Sequence, residues 1–246
     1  MPPTKPEILS GIHSIAEALN ANRRTFYEIY GSRPAPDPIA AAARQRGIPV
    51  VRKTPEELRL IAGTDQHQHI AAKVSPFSPA DFSGMVKKGF AETSRPLFMI
   101  VDSVEDPRNL GSLIRTAVCA GASGVVVPRD RCAPLSPTVS RASAGAMEHC
   151  PISRVANLVN AIKTLKKHGA WISGLDGNGR LTIYETDLDG PHAIVVGGEN
   201  TGIRRLVAQN CDNLCRIPQF GPVNSLNASV AGAVAMYEAL RRRIEN

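Results

Sequence analysis

Three short stretches carry polar side chains in numbers and spacings that local folding does not require. In the first, Asp102–Arg115, Asn109 and Arg115 stand six residues apart. An acidic turn with Asn109 capping the next helix accounts for Asp106 and Asn109. It does not account for Arg115, which lies beside the apolar face of Leu110, Leu113, Ile114, Ala117 and Val118, where it could reach a phosphate. The second stretch, Val195–Ile203, sets Glu199 after the pair Gly197-Gly198. Glycines after a strand let a ligand approach the backbone, although Glu199 alone also fits a plain turn residue. The third runs from Ile217 and places Asn224, Ser225, Asn227 and Ser229 ahead of a small-residue helix. One Ser or Asn satisfies a helix cap, so the surplus fits a site for a ligand or RNA.

These loops need elements to hold them. Short apolar strands at Leu97–Val101, Gly124–Val127, Ala170–Ser173, Ala193–Val196 and Leu214–Ile217 alternate with helices at Leu110–Ala120, Val155–His168, Arg204–Gln209 and Ser225–Ile244. The alternation predicts an α/β fold, a parallel sheet with helices on both faces. Such sheets bind ligands at the carboxyl ends of their strands, and all three loops follow strands. The last helix gathers Leu226, Val230, Val234, Tyr237, Leu240 and Ile244 near one stripe. Its Ala228, Ala231, Gly232, Ala235 and Ala239 form a flat surface suited to close packing, internally or against a second subunit, and a second subunit is the expected neighbour. Arg241-Arg242-Arg243 complements the dipole at its end.

Ahead of this half, Ile8 to about Val74 reads as a small α/β unit. It has a helical face at Ile12, Ile15, Ala16 and Leu19, a strand at Phe26–Tyr30, an alanine-rich helix at Ile39–Arg46 and a strand at Ile48–Val51. Thr54-Pro55-Glu56-Glu57 opens another helix, with Thr54 as its cap, and Ile70–Val74 closes the unit as a strand. Ser75–Pro96 has little periodicity and reads as a linker with at most one poorly formed helical turn. The expected division is residues 1–75, a linker at 76–95, and 96–246.

Composition bounds the partners. Over 246 residues, 43% hydrophobic and 21% charged content are those of a globular protein, and no run approaches the about 18 apolar residues of a membrane span. The N-terminal Met-Pro-Pro-Thr-Lys-Pro-Glu lacks a signal-peptide core, so a cytoplasmic address is expected. Five cysteines fit reduced thiols, and Cys211 and Cys215 have no second Cys/His pair to complete a zinc site, so no metal is expected. The net charge of +7 points to a polyanion, and only 4% aromatic residues favours recognition by phosphate contacts and RNA shape over base stacking. A nicotinamide dehydrogenase is disfavoured, because the glycine spacing is not the dinucleotide fingerprint.

Taken in order, Asn109-x-Gly111-x-x-x-Arg115-Thr116-Ala117, Val196-Gly197-Gly198-Glu199-x-x-Gly202 and Ile217-Pro218-x-x-Gly221-x-Val223-x-Ser225-Leu226-Asn227-x-Ser229-Val230-Ala231 resemble the three motifs of the SpoU/TrmH (SPOUT-class) family of RNA 2′-O-ribose methyltransferases. Ser10-Gly11-Ile12-His13-Ser14-Ile15-x-Glu17-Ala18-Leu19 and His67–Ala71 resemble the substrate-binding domain of the branch that methylates a guanosine of 23S rRNA. Asn200-Thr201 departs from the family pattern, as does His69, where that branch has glycine.

The resemblance implies a deep trefoil knot, a homodimer, and S-adenosylmethionine as cofactor. Backbone groups of Gly197, Ile217 and Leu226 would hold the cofactor, with Leu175 a further candidate. It assigns the reacting centre to Asn109, Arg115, Glu199, Ser225 and Asn227. An arginine titrating above about 12 is a poor base, so Arg115 is expected to clamp phosphate and stabilise oxyanion charge. A tRNA ribose methyltransferase is the alternative within the class. A non-catalytic RNA-binding or ribosome-assembly protein of this fold is expected to lack Arg115, Glu199 or Asn227, and all three are present.

Overall fold

The computed structural model describes residues 5–199, 201–222 and 225–245. They form two compact units, one of residues 1–78 with 134–149, the other of 79–133 with 150–246. Among the described residues no helix is long and apolar enough to cross a membrane.

The first unit is built from β1 (Glu7–Ser10), α1 (Ile12–Ala21), β2 (Phe26–Gly31), α2 (Asp37–Gln45), β3 (Val50–Arg52), α3 (Pro55–Ala62) and β4 (Ile70–Val74). Its sheet runs β1-β4-β2-β3, with β4 antiparallel to both neighbours and β2 parallel to β3. Leu9, Ile15, Leu19, Ile29, Ile39 and Ile70 fill the core between sheet and helices. Thr54 caps α3 in a reciprocal box, its hydroxyl accepting from Glu57 N while the Glu57 carboxylate accepts from Thr54 N. His69 sits at φ 64°, a left-handed backbone that glycine adopts more readily than other residues. Its ring meets Ser32 Oγ at 3.0 Å, an anchor that glycine lacks.

The second unit holds α4 (Phe82–Glu92), β5 (Leu97–Asp102), α5 (Pro107–Cys119), β6 (Gly124–Pro128), β7 (Ile152–Val155), α7 (Leu158–Lys167), β8 (Trp171–Leu175), β9 (Leu181–Thr182), β10 (His192–Gly197), α8 (Arg205–Ala208), β11 (Asn213–Arg216) and α9 (Ala228–Glu245). All six pairings of its sheet, ordered β7-β6-β5-β10-β8-β11-β9, are parallel. Every residue of β5 and β6 is buried, as covering on both faces demands. Phe98, Ile100, Ala193 and Val195 pack beneath α4 and α7. α5 and α9 pack together on the other side, where Gly232 lies against Leu113 and Val196.

Three expectations are corrected. The span 76–95 contains α4, a full helix capped by Asp81, whose Met85 and Val86 are buried; its apolar positions are diluted by Ser, Gly and Lys, which hid the period. The region Val155–His168 divides into the end of β7 and a helix beginning at Leu158, capped by Asn157. The helix expected from Ser225 begins at Ala228.

The connection between β6 and β7 carries α6 (Pro137–Ala142) and a short 3-10 turn, and both belong to the first unit. Arg24 ties that segment down: its guanidinium, 1% exposed, bridges Glu7 at 2.7 Å and the fully buried Glu148 at 2.8 Å.

Candidate active site

Sheet order explains why distant motifs meet. β5, β10, β8 and β11 are successive neighbours, so the loops after Asp102, Gly197 and Arg216, together with Leu175, leave one edge of the sheet side by side. Asp102 and Gly197 are paired in register, which sets the first two loops flush.

At that edge Asn109, Glu199 and Asn227 form a closed cluster. Asn109 Nδ2 donates to Glu199 Oε1 at 2.9 Å, Asn227 Nδ2 donates to Asn109 Oδ1 at 3.1 Å, and Asn227 Nδ2 also donates to Glu199 Oε1. Asn227 is also the cap of α9, its Oδ1 accepting from Ser229 N at 2.9 Å and Ser229 Oγ at 2.6 Å. Asn109 is not a cap: α5 starts at Pro107, and Asp106 accepts from Arg108 N at 2.7 Å. That frees the Asn109 carboxamide for Glu199. Hydrogen bonds from the Arg108 side chain come first among the causes that hold the Asp106 carboxyl below the usual range.

Two cavities flank the cluster. One, of about 250 Å³, is lined by Leu175, Val196, Gly197, Ile217, Ser225 and Leu226 among others. All four residues expected at a cofactor are thus together. Apolar side chains and strand-end backbone fit an adenosine moiety, which needs few charged contacts. The second, of about 270 Å³, is lined by Ser103–Asp106, Asn109, Arg131, Thr201 and Arg204. Glu199 and Ala228 line both.

The glycines also let the loop pack tightly. A Cβ on Gly197 would strike Gly202 and Ile203, and one on Gly198 would strike the Ser103 carbonyl. They let the Glu199 loop fold on itself and against the first loop, and both also line the first cavity. Gly202 N donates to Gly198 O at 2.8 Å and closes the turn.

Sequence patterns gave no role to Asp102 or Arg204, yet they lock the first two loops together. Asp102, fully buried, accepts from Arg204 N at 2.9 Å and Nε at 2.7 Å. A charged residue closing an apolar strand was the available signal. Arg115 is exposed on α5, lines neither cavity, and makes no hydrogen bond or ion pair among the described residues. Ser225 lines the first cavity and is not part of the cluster. Asn200, Val223 and Asn224 lie outside the described residues.

Known proteins resemble this chain along nearly all of its length. Residues 96–237 match the model of the SpoU rRNA Methylase family, and residues 8–80 match that of RNA 2′-O ribose methyltransferase substrate binding. The chain is 36% identical over 237 residues to the putative TrmH family tRNA/rRNA methyltransferase YacO of Bacillus subtilis, covering 95% of this chain and 94% of the relative. It is 36% identical over 241 residues to the 23S rRNA (guanosine-2′-O-)-methyltransferase RlmB of Xanthomonas campestris, covering 95% and 96%. The AdoMet-bound rRNA methyltransferase of Sinorhizobium meliloti superposes with a TM-score of 0.79 at 25% identity, over 96% of this chain and 87% of that one. With one model spanning more than half the chain and relatives matched along nearly all of it, the protein belongs to the SpoU family of RNA 2′-O-ribose methyltransferases.

Proposed function

We propose that this protein methylates the 2′-hydroxyl of a guanosine in 23S rRNA, in the cytoplasm, as a knotted homodimer. The observation that carries the reading is the Asn109–Glu199–Asn227 cluster standing between two cavities, one apolar and one polar. S-adenosylmethionine, held by Leu175, Gly197, Ile217 and Leu226, would supply an electrophilic methyl group there.

The protein's own task is to position a poor nucleophile and take its proton. Glu199 Oε1 is engaged by two carboxamides, and Glu199 Oε2 has no partner among the described residues, so Oε2 would accept the ribose proton. Asn109 and Asn227 fix the carboxylate, and Ser225 would orient the ribose from the cofactor side. Arg115, exposed and without a partner among the described residues, is the candidate clamp for the substrate phosphate and for oxyanion charge.

One feature supports the homodimer, though not the face expected to form it. The alanine face of α9 is internal, with Ala235 and Ala239 fully buried, whereas Val230, Tyr237 and Ile244 are 47%, 50% and 75% exposed and recur every seven residues. An apolar stripe of that kind calls for a partner surface. The knot is supported by family membership and by a strand order in which β10 lies between β5 and β8.

Mapping ribose methylation across rRNA and tRNA from cells with and without the gene tests the reading. Loss of one 23S rRNA guanosine mark is expected; loss confined to tRNA would reassign the substrate. Arg115→Lys should lower turnover with RNA affinity retained, and full turnover would remove any need for its fork.

A further inference from the structure

The polar cavity contains groups that the methyl-transfer chemistry leaves unused. Of its carboxylates, Asp106 is gripped by the Arg108 fork and caps α5, and Glu199 is held in the carboxamide cluster. Glu105 differs. It is exposed, lines the cavity, and makes no hydrogen bond or ion pair among the described residues. Of the arginines, Arg204 is tied to Asp102, whereas Arg131 is exposed and likewise without a partner among the described residues. One free carboxylate and one free guanidinium therefore border a space that also contains Asn109 and Glu199.

An acceptor nucleotide must lie against those two residues for its hydroxyl to react. We propose that this cavity receives the acceptor nucleotide and that Glu105 selects guanine, accepting N1–H and N2–H from its Watson–Crick edge through both carboxylate oxygens. Guanine is the one RNA base that offers two adjacent N–H donors on that edge; adenine, cytosine and uracil each set an acceptor beside their donor. An ionised carboxylate only accepts, so it fits guanine and leaves an unmatched lone pair against any other base. Arg131 contacts a phosphate flanking the flipped-out nucleotide, a contact that holds without reading sequence. The assignment rests on the methyl-transfer reading above and adds to it the residue that reads the base.

The test uses the full-length protein and an rRNA fragment spanning the mapped methylation site, made with guanosine or with inosine, which lacks the 2-amino group, at the target. For the unaltered protein, inosine, which keeps N1–H, should lower kcat/KM roughly 10- to 100-fold, the size of one hydrogen bond to a charged group. In Glu105→Gln the guanosine rate should fall by a similar factor, and the further penalty for inosine should shrink to about 3-fold or less. Anisotropy measured without cofactor should show the same pattern in RNA affinity, and Glu105→Ala should match Glu105→Gln. Equal use of inosine and guanosine by the unaltered protein would overturn the assignment, as would an inosine penalty that persists in Glu105→Gln. So would a mapped target that is not guanosine, with methyl transfer itself intact. Absence of methyl transfer to any RNA would instead overturn the underlying reading.

Discussion

The Asn227 carboxamide divides its ends between folding and chemistry. Its oxygen caps α9, while its nitrogen bonds Asn109 and Glu199. Aspartate can do the first job and not the second. Asn227→Asp should hold stability within about 1 kcal/mol in thermal melts, since Asp caps as well as Asn. It should cut kcat by at least ~100-fold by setting a carboxylate against Glu199. Unchanged turnover would remove Asn227 from the reacting centre. His192 makes a prediction about pH. Burial, followed by the nearby Arg243 charge, pushes its imidazole down to about 4, and it meets Ser173 Oγ at 2.8 Å. Unfolded, the same group titrates near its ordinary 6.5, so between 6.5 and 4 the unfolded chain binds the extra proton. The stabilisation is complete above about 6.5 and lost as pH falls towards 4, by up to about 3 kcal/mol. Urea melts across that window should show the slope, and His192→Gln should flatten it.

At the scale of elements, what matters is how loops and helices are locked. Arg204 reaches from the end of the Glu199 loop to Asp102 at the end of β5 and ties one motif loop to another. Asp102 lines neither cavity. Asp102→Asn should therefore lower kcat by roughly 10- to 100-fold through misplacement of Glu199. Calorimetric affinity for S-adenosylmethionine should change much less. A parallel loss of cofactor affinity would show that the tie supports the whole edge rather than one loop. The α5–α9 contact has no spare room: a Cβ on Gly232 would overlap Leu113 Cδ2. Gly232→Val should destabilise by about 1–3 kcal/mol in chemical denaturation, and an unchanged midpoint would contradict this packing.

For the whole molecule, the exposed stripe on α9 is the feature one chain does not account for. Tyr237→Glu places a charge in the middle of it and should give a monomer in sedimentation velocity with an unchanged circular dichroism spectrum. A monomeric parent protein would end the homodimer proposal. The triple arginine is not free to bind RNA as a unit, since Arg241 and Arg242 clasp Glu238 and Arg243 donates to Gly190 O. The charge excess must therefore act through other cations.

Local patterning was enough for the α/β class and for the strands of the sheet centre, because buried parallel strands are continuous apolar runs bounded by turns. It was enough, too, for Thr54 as a cap and for the three motif loops, whose order in the chain carries the family resemblance. Short or diluted elements such as α4, β7 and β9 were illegible, since their burial comes from neighbours distant in sequence. Only the tertiary structure joined Asn109, Glu199 and Asn227 into one cluster, because strand order, not spacing along the chain, decides which loops are adjacent. It also turned the small face of α9 inward and left the large apolar residues outside, a choice set by how closely α5 approaches. The sequence determined which groups were available for chemistry; the parallel sheet decided which of them meet.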